Sequence, residues 1–363
     1  MSSTWGENIR ISLFGESHGP AIGVVIDGLP SGFALDFEAL AAHMRRRAPG
    51  QGPWATPRRE PDAPEILSGV FNGRTTGTPL AAIIRNADTR SGDYADLVAR
   101  PRPGHADLTG RLRYGGANDP RGGGHFSGRL TAPLAFAGAV CLQMLAARGV
   151  RVGARAVEIG GVRDAEIDPT AAAFDVSAKA FPVVDDACGE RMKAAIQAAH
   201  ARKDSVGGIV EAVASGMPAG VGGPFFDRLG SRLGAMLFAL PACKGVEFGR
   251  GFAVAGATGL TNNDAFRRDD AGNVTRPTNH AGGMEGGIAN GMPIIVRCAF
   301  KPTASIGAPQ PTVNLDTGAE ETLEIQGRHD PCIVPRAVPV VESAVALVLL
   351  DRLLDGATPP ATP

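Results

Sequence analysis

The 363-residue sequence is poor in cysteine and aromatic residues, and it carries almost no net charge. Its cysteines, Cys141, Cys188, Cys243, Cys298 and Cys332, lie far apart and form no C-x-x-C pair or cluster with histidine. This spacing indicates neither a disulfide framework nor a zinc site, and it favours a reducing compartment. A formal net charge of −1 provides no global field that would attract nucleic acid or a membrane surface.

Long apolar runs are also lacking. The N-terminal stretch MSSTWGENIRISLF has no apolar signal core, and no run of 18 apolar residues occurs. Aromatic residues make up only 5% of the chain, but 44% of its residues are hydrophobic and recur in periodic segments, which argues against disorder. We therefore expect a soluble cytoplasmic protein that binds neither nucleic acid nor membrane and holds no metal.

Glycine and arginine are abundant, and they are concentrated in loops. The longest such loop spans 100–129 and ends in RGGGHFSGR; similar loops lie at 15–19, 45–60, 241–250, 279–287 and 301–307 with 327–336. Arginine is costly to bury unpaired, and glycine lets backbone N–H groups approach a ligand closely. One such loop could simply be a solvated basic surface. Their repetition favours a site for phosphate or carboxylate groups.

Hydrophobic periodicity predicts strands and helices in both halves of the chain. We expect two strands within 8–29, further strands at 65–71, 79–86, 151–160, 207–216, 252–257 and 292–300, and helices at 37–47, 129–149, 189–203, 227–240 and 337–355. Asp36 caps the first helix, and the segment PACKGVEFGRG (241–251) is expected to be a loop. No linker divides the chain, so we predict one domain over 1–355 in a two-layer or sandwich arrangement, followed by a flexible tail at 356–363.

Three of the loops place a histidine beside glycine or a carboxylate: His18, His105 and His329. Histidine titrates near neutral pH, so a site that holds several histidines is suited to proton transfer. A single histidine is more often structural than catalytic. We interpret His43, inside a helix, and His200, at a helix end, as structural.

Two short motifs resemble known active sites, but their context argues against both. Residues 15–19 (GESHG) match the nucleophile elbow G-x-S-x-G, which requires a strand, a sharp turn and a helix. Here a β-rich run follows the turn instead. The segment 50–52 (GQG) follows a helix rather than a strand, so it does not indicate a dinucleotide site. The sequence has no G-x-x-x-x-G-K-[ST], which argues against an ordinary P-loop NTPase.

The order of the loop motifs points to a known family. The motifs are FGESHG (14–19), TPRREPD (56–62), ILSGVFNGRTTGTPL (66–80), RPGHAD (102–107), RGGG…SGR (121–129), KGVEFG (244–249), NHAGG (279–283), FKPT.SI (300–306) and GRHDPC…RAVP (327–339). In these motifs the chain closely resembles the chorismate synthases, from about residue 5 to residue 355. The resemblance implies an α+β fold, a single large sandwich of β-sheets and α-helices, and assembly as a homotetramer.

The resemblance also implies a reaction. Chorismate synthases carry out the last step of the shikimate pathway, in which 5-enolpyruvylshikimate-3-phosphate loses phosphate and a ring hydrogen and becomes chorismate. They require reduced FMN, although the reaction has no net redox change. The source of the reduced flavin stays open, with NADPH as a possible external reductant.

Roles for individual residues follow from the resemblance. It makes His105 the acid for the leaving phosphate, places His18 near the reduced flavin, and lets Asp330 assist the uptake of the ring hydrogen. The flavin contacts carried over by motif are His125, Phe126, Ser127, Pro241, Ala242, Gly286, Lys301, Pro302, Thr303, Ala304, Ser305 and Arg328. The phosphate and two carboxylates of the substrate call for cations with a fork geometry, so our candidates are Arg46, Arg47, Arg129 and Arg336.

The sequence departs from the family pattern on the flavin and phosphate loops. Many members have Arg-Ser where His125 and Phe126 stand, an arginine in place of Pro53, and an asparagine in place of Pro241. We interpret these changes as a subfamily variant. Two other functions stay open: a non-catalytic protein that binds a phosphosugar or nucleotide through the same loops, and a flavin reductase that uses NADPH.

Overall fold

Two antiparallel sheets of five strands each enclose a layer of helices. The computed structural model describes residues 3–52, 54–56, 60–87, 97–168, 176–177, 179–272, 274–325 and 330–355. The first sheet, in the order β1-β2-β3-β5-β4, contains β1 (Thr4–Trp5), β2 (Arg10–Gly15), β3 (Ala21–Asp27), β4 (Pro64–Ser68) and β5 (Leu80–Arg85). The second sheet, in the order β9-β10-β8-β6-β7, contains β6 (Arg151–Ile159), β7 (Val162–Arg163), β8 (Gly208–Ser215), β9 (Cys243–Phe248) and β10 (Ile294–Phe300).

The helices and four small hairpins complete the described part of the chain. The α-helices there are α1 (Phe37–Arg47), α2 (Asp107–Tyr114), α3 (Thr131–Ala146), α4 (Asp186–Ala201), α5 (Leu229–Phe238), α6 (Gly259–Asn262) and α7 (Val334–Leu353). The hairpins pair Val70–Phe71 with Arg74–Thr75, Arg267–Arg268 with Val274–Thr275, Met284–Glu285 with Ile288–Ala289, and Gln310–Val313 with Glu320–Leu323. The α+β sandwich of sheets and helices predicted from the sequence is confirmed.

The two longest apolar helices form the centre of the sandwich. Helix α3 packs on β2, β3 and β5 of the first sheet, α7 packs on β6 and β8 of the second, and α3 and α7 pack on each other. Strands turn alternate residues toward this layer, as Ile22, Val24 and Ile26 do on β3. By length and composition the stretch Gly128–Ala146 could cross a membrane, but 78% of that apolar window is buried inside the fold, as expected of a core helix.

Helices α3 and α7 cross where Gly138 meets Ser343. A Cβ atom at Gly138 would overlap the backbone of Ser343, so glycine allows the two helices their close approach. The Ser343 hydroxyl donates to the carbonyl of Pro339 (2.8 Å) and accepts from His43 Nε2 (2.9 Å). Burial lowers the pKa of His43 to about 3, so this imidazole is neutral and structural, as the sequence predicted.

The C-terminal helix also fixes the beginning of the first sheet. Asp351 is buried on α7, and its carboxylate accepts hydrogen bonds from the backbone N–H groups of Glu7 (3.1 Å), Asn8 (2.7 Å) and Ile9 (2.8 Å). Arg352 adds an ion pair to the Glu7 side chain at 2.8 Å. These contacts attach the end of α7 to the segment that precedes β2.

Three local predictions were wrong or incomplete. The stretch 252–257, predicted as a strand, is a 3-10 turn (Gly251–Gly256) whose side chains are exposed and do not alternate between two faces. The segment 241–251, predicted as a loop, contains β9, because Cys243–Phe248 pairs with β10 along the sheet edge. Helix α2 was missed, since it is short and buries only Gly110. The predicted tail, 356–363, lies outside the described residues.

Candidate active site

One large cavity, of about 780 Å³, collects most of the glycine-rich loops. Its wall includes residues of β1 and β2, the loop that joins α2 to α3, the segment between α5 and β9, the loop after β10, and the first turns of α7. The loops 45–60, 100–129, 241–250 and 301–307 all reach it, and so does Asp330. The loop 279–287 does not line it.

The glycine triplet 122–124 supports two histidine rings. All three glycines have positive φ angles (60°, 84° and 54°), a conformation that side chains with a Cβ rarely adopt. A Cβ at Gly122 would overlap the imidazole of His18, and one at Gly123 would lie 2.7 Å from Cε1 of His105. The sequence analysis assigned these glycines to an anion. The structure shows that they make room for the two rings.

His105 is held by an aspartate and an arginine from its own loop. Its Nδ1 lies 2.6 Å from Oδ1 of Asp107. Arg102 donates from Nε and Nη2 to the two carboxylate oxygens of Asp107, each at 2.7 Å, and from Nη1 to Ser305 Oγ at 2.9 Å. His105 and Arg102 line the cavity, whereas Asp107 stands behind them.

His125 and Phe126, the two variant positions, are anchored in different ways. His125 donates from Nδ1 to the carbonyl of Gly15 (2.9 Å), and its Nε2 lies 2.8 Å from Ser3 Oγ. Phe126 lies against Gly110 of α2, where a Cβ would come within 2.6 Å of its ring, and its centroid is 6.2 Å from that of Tyr114. Phe126 and Tyr114 are both partly exposed and line the cavity.

Two of the predicted substrate arginines are joined by a buried carboxylate. Asp62, which is 1% exposed, forms ion pairs with both Arg47 and Arg129. Burial would raise the pKa of Asp62, but the two guanidinium groups outweigh it and lower that pKa. Burial also lowers the pKa of Arg47 to about 10, which still leaves it charged at neutral pH. Glu60 adds a second carboxylate to Arg129 at 3.3 Å.

Among the predicted arginines that line the cavity, Arg336 has the most N–H groups without a partner among the described residues. Its Nε donates to the carbonyl of Arg47 (3.1 Å) and its Nη1 to Asp330, whose other oxygen accepts from the backbone N–H of Thr56 (2.9 Å). Within the described ranges its Nη2 has no hydrogen-bond partner. Both N–H groups of that nitrogen are therefore available to a ligand in the cavity.

Arg46 does not line the cavity, although the sequence analysis proposed it for the substrate. Its guanidinium forms a bidentate pair with Glu342 of α7 at 2.7 and 2.8 Å. Glu342 is buried and also accepts from the backbone N–H of Ala154 at 3.0 Å. A buried carboxylate needs such a partner, so Arg46 has a structural role here.

Two lysines of the cavity wall differ from these arginines in that they have no carboxylate partner among the described residues. They are Lys244 and Lys301, although Lys301 donates to the carbonyl of Gly104. Burial, together with the nearby charge of Lys244, lowers the pKa of Lys301. Thr303, in the same loop as Lys301, buries its hydroxyl oxygen with no hydrogen-bond partner in the part of the chain that the structure describes. Such groups await an anionic or hydrogen-bonding ligand.

The structure brings together most of the predicted site. The predicted residues that line the cavity are His105, His125, Phe126, Ser127, Pro241, Ala242, Lys301, Pro302, Thr303, Ala304, Ser305, Asp330, Arg47, Arg129 and Arg336. His18 is buried behind Gly122, next to the lining residue Ser17. Gly286 is not brought to the cavity, because it forms the tight turn between Met284–Glu285 and Ile288–Ala289. Arg328, His329 and Pro53 lie outside the described residues.

Sequence reasoning missed three charged residues of the site: Asp62, Arg102 and Asp107. Each stands inside a quoted motif, TPRREPD or RPGHAD, and a carboxylate within a stretch rich in arginine was the available signal. Across the described residues, no group of three or more His, Cys, Asp or Glu side chains is arranged to hold a metal ion.

Comparisons with known proteins agree with this geometry. The sequence model of the family described as chorismate synthase matches residues 9–354. The chain is 49% identical to the chorismate synthase of Methanocella arvoryzae, over 98% of this chain and 95% of that protein. It is 45% identical to the one from Synechocystis, over 98% of each chain. A crystal structure of a chorismate synthase superposes with a TM-score of 0.75 at 27% identity and covers 97% of this chain and 93% of that one.

Proposed function

The chain belongs to the chorismate synthase family, and on that premise we propose that the cavity converts 5-enolpyruvylshikimate-3-phosphate to chorismate. The reaction is that of a carbon–oxygen lyase, an anti-1,4-elimination of phosphate and a ring hydrogen, and it closes the shikimate pathway. The observation that carries the proposal is His105, an oriented imidazole in the wall of a cavity that also holds several cations.

The charges of the cavity suit the substrate. Its phosphate and two carboxylates bring several negative charges, and six cationic side chains line the cavity against two carboxylates: Arg47, Arg102, Arg129, Arg336, Lys244 and Lys301 against Glu60 and Asp330. Asp62 partly neutralises Arg47 and Arg129 and holds them in place. The two guanidinium groups therefore form a fixed, positively charged part of the cavity wall. We assign direct contact with a substrate anion to the Nη2 group of Arg336 and to the donors left on Arg129.

The residues of the cavity also fit reduced FMN. A volume of 780 Å³ lies within the range of about 300–1,000 Å³ usual for pockets that enclose a small molecule. The unpartnered Thr303 hydroxyl and the ammonium groups of Lys244 and Lys301, neither of which pairs with a described carboxylate, suit a flavin phosphate. We propose that FMN is held by the backbone and small side chains of His125, Phe126, Ser127, Pro241, Ala242, Lys301, Pro302, Thr303, Ala304 and Ser305.

The chemistry that reduced FMN supplies is transient electron density for the allylic system. The protein's own contribution is the proton. His105 gives its Nε2 proton to the departing phosphate oxygen as the carbon–oxygen bond breaks, which lowers the negative charge that builds up there. Asp330 is held in place by Arg336 and the Thr56 N–H, and we assign it an assisting role in the removal of the ring hydrogen. We place His18 on the flavin side, next to Gly122.

Three further properties belong to this proposal. From the resemblance to the family we propose a homotetramer and a cytoplasmic location, and we name NADPH as the candidate external reductant of the flavin, with an intrinsic reductase as the alternative. A flavin reductase activity of the protein itself would show as FMN reduction by NADPH without any other enzyme.

An anaerobic assay tests the proposed function. The purified protein is mixed with 5-enolpyruvylshikimate-3-phosphate and chemically reduced FMN, and phosphate and chorismate are measured together. We expect equal amounts of both products and none with oxidised FMN. Tight binding of flavin and substrate without turnover would contradict the proposal and favour a protein that binds these ligands but does not catalyse elimination.

A further inference from the structure

The loop that carries His105 contains a carboxylate that the reaction above does not use. Asp107 is the first residue of α2, and its side chain is only 12% exposed. Its two oxygens accept four hydrogen bonds: one from His105 Nδ1 (2.6 Å), two from the Arg102 side chain (2.7 Å each) and one from the Arg102 backbone N–H (3.0 Å). Both carboxylate oxygens thus accept two hydrogen bonds each, and three of these four bonds come from Arg102.

The protonation state of Asp107 decides which nitrogen of His105 carries a hydrogen. Burial alone would raise the pKa of Asp107, but the hydrogen bonds from Arg102 and His105 outweigh it and hold that pKa well below its usual value. The carboxylate is therefore ionised and can only accept hydrogen bonds. It follows that Nδ1 of His105 bears a proton and that Nε2 is the nitrogen left to exchange one.

The position of the ring is determined from three sides. Asp107 holds Nδ1, the backbone of Gly123 lies under Cε1, and Arg102 reaches past the imidazole to Ser305. Ser305 belongs to the loop that we propose for the flavin. Arg102, whose Nη2 also lies 3.0 Å from Nδ1 of His105, therefore connects the imidazole to this neighbouring loop.

We propose that Asp107 is the positioning residue of His105: it keeps a hydrogen on Nδ1 and fixes the ring plane, so that the doubly protonated ring delivers its proton from Nε2, and Arg102 fixes Asp107. The inference rests on the proposed function, because it needs His105 to act on the leaving group. Asp107 does not line the cavity in which we propose that substrate and flavin bind, so it acts only through His105.

A structural role for Asp107 is the competing explanation. An acidic residue in the first turn of a helix interacts favourably with the helix dipole, whatever lies nearby. Asp186 offers a matched control, since it also begins a helix, α4, but is 83% exposed and pairs with Lys179 far from the cavity. Replacing Asp186 by asparagine removes the same first-turn charge and leaves the site untouched.

The first test compares steady-state kinetics of Asp107→Asn, Asp107→Glu and Asp186→Asn in the anaerobic assay with reduced FMN. Asparagine can either accept from Nδ1–H or donate to a bare Nδ1, so it selects no tautomer. We expect Asp107→Asn to lower kcat roughly a hundred- to a thousandfold, in the lower part of the range of acid–base groups, with KM changed less than about threefold. Asp107→Glu should recover part of kcat, and Asp186→Asn should match the wild type.

A double-mutant cycle separates positioning from structure. In a His105→Ala background, Asp107→Asn should cost no further activity, because the group that it positions is gone. A similar additional loss in that background would overturn the proposal. If Asp107→Asn does not fold, Arg102→Lys serves instead, since it keeps the charge but breaks the two-pronged hold on Asp107.

A second readout does not depend on turnover. In protein labelled with ¹⁵N-histidine, at a pH where the His105 ring is neutral, the ring hydrogen should lie on Nδ1 in the wild type and shift toward Nε2 in Asp107→Asn. An unchanged tautomer with unchanged kcat would overturn the inference. If the wild type itself gave no chorismate, the proposed function would fail, whereas the ¹⁵N spectra would still report whether Asp107 sets the tautomer.

Discussion

The backbone of Gly123 lies directly against the imidazole of His105, and a Cβ added to Gly123 would stand 2.7 Å from Cε1 of that ring. Real Cβ atoms essentially never come so close to another heavy atom. The neighbouring Gly122 has the same relationship to His18. Two consecutive glycines therefore set the depth at which two histidines sit beside one cavity.

We expect Gly123→Ala to lower kcat about a hundredfold, because the ring of His105 must move and displacements near 1 Å cost about that much. The control is Gly115→Ala, which has a similar positive φ (59°) but open space where its Cβ would lie. Steady-state turnover should fall in the first variant and stay near wild type in the second. Equal losses in both would mean that backbone strain, not contact with His105, is the cause.

Replacement of Arg336 by alanine should weaken substrate binding. A hydrogen bond to a charged group contributes about 1.5–3 kcal/mol, so we expect KM to rise roughly ten- to a hundredfold. Arg46→Ala is the matched control: it should leave KM unchanged and instead lower the melting temperature, because Glu342 loses its bidentate partner in the interior. A KM effect at Arg46 would contradict the position found for it.

Acid stability should depend on Asp62. Since the pKa of this carboxyl is lowered in the folded protein, its stabilising effect is complete above the ordinary value of 3.8 and is lost as the pH falls through the folded-state value. We expect Asp62→Asn to reduce the free energy of unfolding by about 3–5 kcal/mol at pH 7, because Arg47 and Arg129 lose their shared counter-charge. The difference from wild type should shrink below about pH 4. Urea titrations from pH 7 down to pH 3 measure it, and a difference that stays constant would refute the assignment.

The crossing of α3 and α7 should not tolerate a methyl group. Alanine at Gly138 would gain about 1 kcal/mol in helix propensity, but overlap with the Ser343 backbone costs about 1–3 kcal/mol or more. We expect a net loss of stability, seen as a lower urea midpoint. Gly234→Ala, in α5 with open space around its Cβ, should instead be neutral or stabilising.

Much of the fold could be predicted from periodicity, because its long elements bury one clear face. The Asp36 cap of α1 and the apolar pattern of α7 are examples. Short elements were harder: α2 buries little, and β9 lies at a sheet edge, where the apolar period is weak. Tertiary pairing with β10 decides that β9 is a strand, and local sequence does not contain that information.

The sequence could predict which loops form the candidate site, but it could not predict which charged side chains form ion pairs there. The motifs placed His105, Asp330 and Lys301 in one cavity correctly. They could not show that Arg46 turns toward Glu342, since the two lie 296 positions apart. Nor could they show that Asp62 already occupies the guanidinium groups proposed for the substrate. Which partner a charged side chain takes depends on packing between distant segments.

The hydrogen bonds between the Asp351 carboxylate and the backbone of residues 7–9 have a consequence for biosynthesis. Ser3, Thr4 and Trp5 precede residues 7–9 and form part of the cavity wall, yet the carboxylate that fixes the backbone after them is more than 340 positions away along the chain. Contacts of such long range form late and slow the folding of a chain. Residues 7–9 are translated long before Asp351, so this part of the cavity wall is fixed only once translation has passed α7.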